Sequence, residues 1–425
     1  MNILMMTNTY LPHVGGVAQS VHRFAQQYRR KKHETVVVAP EFSGAEESEP
    51  GVVRVPAVQN FNGSDFSVVV PVPFYLTRHL KTFSPDVVHS HHPFLLGSTA
   101  LRVAALHEAP LVFTHHTMYE HYTHYVPLEA RTLKKFVIQL CTGYANRCNQ
   151  VIAPSSSVRE VLVNRGVETP ITVIPTGVDV ESFSNGDGSR TRDQCGIGSE
   201  DFVIGHVGRL APEKNLDFLA QGVARFLNSR EDAVFIVAGT GPSQEAMLKV
   251  FQGAGVAARV HFAGKLAGQE LVDFYHAMDV FAFASKSETQ GMVLVEAMAA
   301  GVPVVALDAS GVRDVLAHEK NGWMVSDETA ESFAEGLGWI ADRTADEQEA
   351  LAESTRETGR AFSTTRCAEK ALKVYRDAIE HRRSGHEDSP EWLHLLHSIE
   401  QEWHIWSNRI AAAASMVQDA GSEQE

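Results

Sequence analysis

Short apolar runs alternate with amphipathic stretches along most of this chain, and this alternation is the feature that most limits its possible folds. A parallel strand needs a crossover segment before the next strand, and an amphipathic helix in that segment covers the face of the sheet. The pattern therefore predicts an α/β fold with parallel sheets. Strands are expected at residues 3–7, 34–39, 87–90, 111–114, 150–153, 171–174, 203–207, 234–238, 260–263, 280–284 and 302–307.

The composition changes once along the chain, around residues 184–200, where serine, glycine, aspartate and arginine replace the apolar pattern. Such a stretch is typical of a linker. Helices are predicted on its N-terminal side at residues 18–31, 136–146 and 157–165. We expect an N-terminal α/β domain over 1–185, a linker over 186–200, a C-terminal α/β domain over 201–378 and a tail over 379–425.

The tail contains three tryptophans, Trp392, Trp403 and Trp406, which recur with leucine and isoleucine at steps of three and four residues. This period predicts an amphipathic helix over residues 390–413. Packing against a core is the favoured role of this helix. Contact with a membrane or a partner is the alternative, because the tryptophans share one stripe.

The net charge of −15 argues against a nucleic acid as a partner. The charge is uneven, since residues 1–185 hold 15 Lys+Arg and 14 Asp+Glu whereas the rest hold 22 and 38. The first part also carries a basic run at 29–32 and a cluster of Arg131, Lys134 and Lys135. Solvated helix ends explain such groups, and a face that meets anionic lipid is the alternative.

Cysteine usage and hydropathy indicate the compartment. Four cysteines without a C-x-x-C pair argue against a disulfide framework or a cysteine zinc site. No apolar run is long enough to cross a bilayer, and the first six residues are too short and lack the basic leader of a signal peptide. We therefore expect a cytoplasmic protein.

Two glycines, Gly15 and Gly16, lie between the first predicted strand and its helix. Glycines at this point allow a ligand to approach the backbone closely, and open α/β sheets bind ligands at the carboxyl ends of their strands. The loop does not match G-x-G-x-x-G, which argues against a dinucleotide-dependent dehydrogenase. A tight turn explains the pair equally well.

Arg209 and Lys214 follow a predicted strand and Gly208 in the second domain. Two cations five residues apart can reach one diphosphate, the arginine as a planar fork and the lysine as a point charge. Two surface cations beside a turn are the alternative that spacing alone leaves open.

A second candidate for anion binding is a helix predicted to start near Met292 and to end at Gly301. Gly291 precedes it. The free N–H groups of its first turn, those of Met292, Val293 and Leu294, can bind an anion.

Two glutamates flank the start of this helix. Glu288 lies before it and Glu296 lies just over one turn inside it. A carboxylate accepts hydrogen bonds from vicinal hydroxyls, so the pair suits a sugar on one side of a phosphate and a ribose on the other. A capping role for one of them is the alternative.

Together these motifs resemble the donor site of family 4 of the retaining glycosyltransferases. The resemblance rests on residues 208–215 and 288–301, with seven residues between the paired glutamates, and residues 85–91 and 173–179 are also typical of that family. It extends from Met1 to about residue 379. It implies a GT-B fold, in which two Rossmann-like domains face each other across a cleft, and transfer with retention of configuration that needs no metal or other cofactor. In this family the tail usually crosses back to the N-terminal domain.

The resemblance also implies a role for each matching residue. Arg209 and Lys214 would bind the donor diphosphate and stabilise the leaving group. Glu296 would hold the ribose, Glu288 would hold the hydroxyls of the transferred sugar, and Gly16 would admit the phosphate. Catalysis would then come from preorganised donors that meet the charge developing on the diphosphate, without a glycosidase-like carboxylate pair.

Histidines cluster after two neighbouring strands, namely His89, His91 and His92 after one and His115, His116, His121 and His124 after the next. The absence of H-E-x-x-H and of a nearby cysteine argues against a metal site. The family's active-site histidine stands immediately before threonine or aspartate, which points to His116, in contact with the transferred sugar. His115 remains the alternative.

Residues 116–125 are similar to the H-T-M-Y-x-x-Y-x-H-Y stretch of bacterial diacylglycerol glucosyltransferases, where it faces the acceptor. Aromatic rings with polar tips suit a sugar or a lipid headgroup, and packed loop aromatics are the alternative. The acceptor-side candidates are His91, His115, Tyr119, Tyr122 and His124.

The leading hypothesis is therefore retaining transfer of a hexose, favoured as glucose, from a UDP-sugar to a membrane lipid such as diacylglycerol, with peripheral membrane association. A soluble or polysaccharide acceptor and a GDP-mannose donor remain alternatives, because a base pocket near residues 239–242 and 265–266 does not separate uracil from guanine. A nucleotide-sugar epimerase-like enzyme and a non-catalytic binding protein are the alternatives from other classes.

Overall fold

The computed structural model describes residues 1–13, 15–42, 49–58, 68–69, 82–119, 130–286 and 288–384. The chain forms two compact units. The first unit comprises the described residues of Met1–Pro175 and of Cys367–Glu425, and the second comprises Thr176–Arg366. The chain therefore begins in the first unit, builds the second and returns to the first.

The first unit is built on a parallel sheet of short, apolar strands. The strands of this half are β1 (Asn2–Met6), β2 (Glu34–Pro40), β3 (Val52–Val55), β4 (Ala57–Val58), β5 (Val68–Val69), β6 (Val87–Ser90), β7 (Leu111–Thr114), β8 (Gln150–Ala153) and β9 (Ile171–Val173). The sheet order is β3-β2-β1-β6-β7-β8-β9, and β4 and β5 form a separate antiparallel pair. The order reverses between β1 and β6, and open α/β sheets bind ligands at such a point.

Four helices of the first unit connect these strands: α1 (Gly16–Arg30), α2 (Leu96–Leu106), α3 (Ala130–Ala145) and α4 (Ser156–Asn164). In α1 the apolar side chains recur at steps of three and four, so that Val21, Phe24 and Tyr28 are buried on one face. Ser155 caps α4, because its hydroxyl accepts a hydrogen bond from the N–H of Val158 at 3.2 Å.

The second unit repeats the same architecture. Its strands are β10 (Phe202–Val207), β11 (Ala233–Ala238), β12 (Val260–Gly264), β13 (Val280–Phe283), β14 (Val304–Leu307) and β15 (Gly322–Val325). They form one parallel sheet in the order β12-β11-β10-β13-β14-β15. The order reverses between β10 and β13, which makes their carboxyl ends the expected ligand site of this unit.

The helices that follow in the chain are α5 (Val180–Phe183), α6 (Ser189–Cys195), α7 (Leu216–Ser229), α8 (Gln244–Gly253), α9 (Gln269–His276), α10 (Met292–Ala299), α11 (Ala330–Ala341), α12 (Ala345–Ala361) and α13 (Thr364–Ser384). The helices from α5 to α12 pack against two buried clusters, one containing Leu219 and Phe333 and the other containing Val295 and Met298. The inner strands β11 and β13 are fully buried, as expected for a parallel sheet with both faces covered.

Helix α13 carries the chain back into the first unit. Its residues Cys367, Leu372 and Tyr375 are buried in one cluster with Ile3 and Val37 of the first sheet. The guanidinium of Arg382 on α13 donates to the carbonyl oxygen of Ala109 at 3.2 Å. This helix is therefore part of the core of the first unit.

The predicted strands are confirmed within two residues of their observed bounds. The helix predicted at 136–146 begins six residues earlier, at Ala130. Strands β3, β4, β5 and β15 are absent from the predicted set. Of these, β3 and β15 lie at an edge of their sheet and contain partly exposed residues, and Arg54 and Gly322 interrupt their apolar pattern.

The chain divides at different residues from those predicted. The second unit begins at Thr176, and the segment 186–200 predicted as a linker contains α6 and lies within that unit. Arg192 on α6 forms an ion pair with Asp279 of the same unit at 2.9 Å. A polar residue of this segment therefore anchors a helix and does not belong to a solvated linker. The tail boundary predicted at 379 falls within α13. The helix predicted at 390–413 lies outside the described residues.

Candidate active site

The carboxyl ends of β10 and β13 bring together two side chains that lie 74 positions apart in the sequence. Lys214, in a 3₁₀ turn after β10, places its Nζ atom 2.7 Å from Oε2 of Glu288, which follows β13. Each side chain is about one-fifth exposed. The pair is therefore a partly desolvated lysine and carboxylate at the point where the strand order reverses.

The backbone of the loop that carries Arg209 and Lys214 is held against the loop after β11. The N–H of Leu210 donates to the carbonyl of Thr240 at 3.0 Å. Gly239 and Gly241 adopt φ values of +136° and +156°, and a Cβ atom at either would lie within 2.2 Å of a carbonyl oxygen of Gly208 or Leu210. Only glycine permits this approach, so the path of the loop from Gly208 to Lys214 is set by backbone contacts.

Arg209 has a more open environment. Its guanidinium forms an ion pair with the carboxylate of Glu213, four residues later, and both side chains are exposed, the arginine to 61%. Such a pair contributes little to stability. The guanidinium can therefore exchange this partner for an anion in solution at small cost.

His206 lies on β10, close to Lys214, and the sequence reasoning missed it. Its Nδ1 is 2.9 Å from the carbonyl oxygen of Ala282 on β13, so Nδ1 carries the proton and donates. Burial, and to a lesser degree the charge of Lys214, lowers the pKa of His206 to about 4. The ring is therefore neutral at pH 7, and it links the two strands that carry the site.

Helix α10 begins at Met292, which confirms the predicted helix start. Gly291 precedes it with φ +66°, a value that favours glycine. The N–H of Leu294 donates to the carbonyl of Gly291 at 2.9 Å, so this amide is used within the first turn. Of the three amides considered for an anion, those of Met292 and Val293 are the better placed.

The loop between Glu288 and α10 is fixed by two contacts that the sequence did not indicate. The Oε1 atom of Gln290, which is buried, accepts a hydrogen bond from the N–H of Thr176 at 2.9 Å. Gly311 adopts φ +80°, and a Cβ atom there would lie 2.6 Å from the carbonyl oxygen of Glu288. The loop therefore has little freedom to move away from Lys214.

Glu296, one turn inside α10, has a buried partner. The hydroxyl of Tyr275 on α9 donates to Oε2 of Glu296 at 3.1 Å. Burial and the charge of Glu296 raise the pKa of Tyr275 well above its ordinary value, so the phenol keeps its proton and remains a donor. Tyr275 thus orients a carboxylate that the sequence identified, although nothing in the sequence pairs the two residues.

In the first unit, Gly15 precedes α1 and Gly16 is its first residue. A Cβ atom at Gly15 would lie 3.0 Å from the ring of His13. A Cβ atom at Gly16 would meet no atom within 4 Å among the described residues beyond its chain neighbours and its own helix backbone, so these residues leave space at Gly16.

The histidines that follow β6 and β7 form a cluster. Nδ1 of His91 lies 2.9 Å from Nε2 of His116, and the two rings stack with centroids 5.2 Å apart. Burial lowers the pKa of both rings well below its ordinary value, with further lowering from neighbouring histidines. His115 instead packs its ring against Phe113 and Tyr119 and is almost fully buried. Of the two adjacent histidines, His116 is therefore the one that joins the cluster and stays half-exposed.

Of the remaining acceptor-side candidates, the described residues include only Tyr119. The ring of Tyr119 packs edge-on against that of Phe94, with centroids 5.3 Å apart. Tyr122 and His124 lie outside the described residues. Within the described ranges, no three His, Cys, Asp or Glu side chains are grouped as metal ligands, and no helix has the length and apolar character needed to cross a bilayer.

Two family descriptions match the chain in succession. Residues 14–182 match Glycosyltransferase Family 4, and residues 188–358 match Glycosyl transferases group 1. The chain belongs to glycosyltransferase family 4. Its two parallel-sheet units are accordingly the Rossmann-like domains of a GT-B enzyme, and it is an enzyme that transfers sugars.

Relatives of known activity include enzymes with different donors. The alpha-monoglucosyldiacylglycerol synthase of Acholeplasma laidlawii is 29% identical over 72% of this chain and 80% of its own length. The GDP-mannose-dependent alpha-mannosyltransferase of Mycobacterium tuberculosis is 30% identical over 76% of this chain and 83% of its own. The chain is similar to both at almost the same identity.

Solved structures agree on the fold. HepE from Anabaena, crystallised with UDP, superposes with a TM-score of 0.69 at 21% identity, covering 89% of this chain and 100% of HepE. Sucrose-phosphate synthase from Thermosynechococcus elongatus gives the same TM-score at 17% identity, covering 90% and 100%. These likenesses establish the GT-B fold of the chain.

Proposed function

We propose that this enzyme transfers glucose from UDP-glucose to diacylglycerol or a related membrane lipid, with retention of the anomeric configuration. The observation that carries the donor half is the contact between Lys214 and Glu288 at the reversal point of the second sheet. The acceptor half is supported by the similarity to alpha-monoglucosyldiacylglycerol synthases from two bacteria.

Donor binding is proposed to proceed by an exchange of ion-pair partners, in which the two cations leave their carboxylates for the diphosphate. When a diphosphate enters, Lys214 turns from Glu288 to the phosphate, and Arg209 turns from Glu213 in the same way. Glu288 is then free to accept hydrogen bonds from hydroxyls of the transferred sugar, and Glu296 from those of the ribose. Negative charge that develops on the departing diphosphate is met by groups already in place, which lowers the barrier.

The reaction is proposed to need no metal ion, because two cations, the first-turn amides of α10 and the dipole of that helix supply the positive potential. His116 is proposed to contact the transferred sugar, as the histidine preceding threonine does in this family. Treatment with a chelator is expected to leave the rate unchanged, and restoration of a lost rate by added magnesium or manganese would overturn this part of the proposal.

The lipid acceptor is supported by the charge and the exposed apolar groups of the first unit. Residues 1–175 of this unit hold 15 Lys+Arg and 12 Asp+Glu, and Lys134 and Lys135 on α3 are exposed. Leu106 is 71% exposed. Basic and apolar groups on one unit suit peripheral contact with anionic lipid.

The test is an assay of purified protein with UDP-glucose and vesicles that contain diacylglycerol and an anionic lipid. Glycolipid is expected, and proton NMR of the product should show the α-anomer. Glu288→Ala should abolish transfer. A β-linked product, or UDP release without any glycolipid, would overturn the proposal.

A GDP-mannose donor is the second candidate, because relatives that use it are as similar as the glucosyltransferases. A competition assay with equal UDP-glucose and GDP-mannose decides between them by the sugar found in the product. Sedimentation with and without anionic vesicles separates a lipid acceptor from a soluble one.

A further inference from the structure

A chain of buried hydroxyl and imidazole groups runs through the first unit, from α1 to β7. The hydroxyl oxygens of Tyr28 on α1 and Tyr375 on α13 lie 3.0 Å apart. The hydroxyl of Tyr375 lies 2.5 Å from Nδ1 of His89, and Nε2 of His89 lies 2.7 Å from the hydroxyl of Thr114. All four side chains are buried, so these bonds replace water that the groups cannot reach.

The direction of the bonds follows from the acidity of the groups. Burial raises the pKa of both phenols and lowers the pKa of His89 to about 3, so all three are neutral. A phenol is a stronger donor than a neutral imidazole N–H, and an imidazole nitrogen is a better acceptor than a phenol oxygen. Tyr28 therefore donates to Tyr375, and Tyr375 donates to Nδ1 of His89. His89 then carries its proton on Nε2 and donates it to Thr114.

His89 is in contact with the histidine pair. Its ring lies 4.0 Å from the ring of His91, centroid to centroid, at an angle of 41°. His91 in turn pairs with His116 through Nδ1. The Nε2 atom of His91 is buried and has no hydrogen-bond partner among the residues that the structure describes. The orientation of His91 therefore depends on the ring of His89 on one side and on His116 on the other.

We propose that Tyr375 is a positioning residue that orients His116 through His89 and His91. The hydroxyl of Tyr375 sets the tautomer and tilt of His89, His89 holds the ring of His91, and His91 holds Nε2 of His116. The orientation of the His116 ring thus depends on a hydroxyl of α13, the helix that follows the second unit in the chain. The kinetic expectation rests on the proposed function, whereas the ring orientations do not.

The decisive variant is Tyr375→Phe, with Tyr28→Phe as its matched control. The phenylalanine keeps the edge-on ring contacts that Tyr375 makes with Tyr28 and His89, at 5.6 and 5.5 Å, and removes only the hydroxyl. Tyr28→Phe removes the neighbouring hydroxyl and leaves the bond between Tyr375 and His89 intact. Tyr375→Phe loses two buried hydrogen bonds, the one accepted from Tyr28 and the one donated to His89, whereas Tyr28→Phe loses only the first. Tyr375→Phe should therefore lower the melting temperature more than Tyr28→Phe does.

Kinetics and NMR separate positioning from stability. Tyr375→Phe should lower kcat by about tenfold or more with the donor KM within about twofold, because a displaced reacting group costs rate rather than donor binding. Tyr28→Phe should leave kcat within about twofold. In ¹⁵N spectra of the histidine rings, Tyr375→Phe should shift the signals of His89, His91 and His116, and Tyr28→Phe should leave those of His91 and His116 in place.

Two results would overturn the proposal. One is an equal loss of kcat in both variants, which would indicate a structural role alone. The other is unmoved His91 and His116 signals in Tyr375→Phe. If the wild-type protein transfers no sugar, the proposed function fails, and the histidine spectra still decide the positioning. If Tyr375→Phe does not fold, Thr114→Val removes the partner at the other nitrogen of His89 and should shift the same signals.

Discussion

The two cations assigned to the diphosphate differ in their surroundings. Lys214 is one-fifth exposed and pairs with Glu288, whereas Arg209 is 61% exposed and pairs with its neighbour Glu213. Lys214→Met should lower kcat/KM by about 10²–10³-fold, as loss of one preorganised donor does. Arg225→Met, which breaks an exposed ion pair of the same unit at 2.9 Å, is the control and should leave kcat/KM unchanged. Steady-state rates at several donor concentrations test this, and equal effects of the two changes would contradict it.

Tyr275 provides a second test at the level of single residues. Tyr275→Phe keeps the edge-on contact with Phe183 and removes the donor to Glu296. One lost hydrogen bond to a carboxylate should weaken UDP binding by about 1–2 kcal/mol, roughly tenfold, measured by calorimetry. Tyr144→Phe removes an equally buried hydroxyl that donates to Gly97 in the other unit, and it should leave UDP affinity unchanged. An unaltered affinity in Tyr275→Phe would remove Glu296 from the ribose assignment.

Single residues were predicted where the chemistry is local in the sequence. Glu288 and Glu296 lie at short, recognisable distances in the sequence from a predicted helix start, and Lys214 from a predicted strand end. Tyr275 and Gln290 could not be assigned their contacts in this way. Their partners lie 21 and 114 positions away and are set by the packing of α9 and of the segment after β9.

At the scale of elements, the loop between β13 and α10 depends on one glycine. Gly311→Ala would bring a Cβ atom within 2.6 Å of the Glu288 carbonyl at φ +80°, so it should cost more than about 1 kcal/mol and weaken UDP binding. The Cβ atom of Gly338→Ala, in α11, would meet no described residue within 4 Å apart from its chain neighbours and its own helix backbone, so the change should raise stability by up to about 1 kcal/mol with UDP affinity unchanged. Urea unfolding and calorimetry measure both. Tight UDP binding by Gly311→Ala would show that the loop is less constrained than its contacts indicate.

The elements themselves were predictable where burial imposes a pattern. Central strands such as β7 and β8 carry unbroken apolar runs and have the predicted bounds, because both faces of a parallel sheet are covered. Edge strand β15 mixes glycine and tryptophan and gave no such signal. The composition of the segment that contains α6 predicts a linker, because the polar residues around Arg192, which anchors this helix to Asp279, do not differ in type from those of a solvated loop.

At the scale of the molecule, the sequence predicted two α/β domains but not how the chain is shared between them. Helix α13 belongs to the second unit for three residues and to the first from Cys367 onward. Its amphipathic pattern does not specify which core it joins. The buried contact of Tyr375 with Tyr28 and His89 provides that information, and it exists only in the folded protein.

The buried histidines predict that the free energy of unfolding of the protein depends on pH. Burial lowers the pKa of His89 and His92 to about 3 and that of His206 to about 4, and it also lowers the pKa of His91 and His116. In the unfolded chain these groups titrate near 6.5. Below that value the unfolded state binds more protons, so the free energy of unfolding falls by up to about 1.4 kcal/mol per pH unit for each histidine.

The stabilising effect is complete above about pH 6.5 and is lost progressively as the pH falls through the folded pKa values, about 4 for His206 and about 3 for His89 and His92. The urea midpoint should therefore be lower at about pH 5.5 than at about pH 7.5. Hydrogen exchange should show a greater loss of protection in the first unit, which holds four of these histidines, than in the second, which holds His206. His206→Gln should reduce the loss in the second unit alone. Equal midpoints at the two pH values would mean that the histidines are accessible to protons in the folded state.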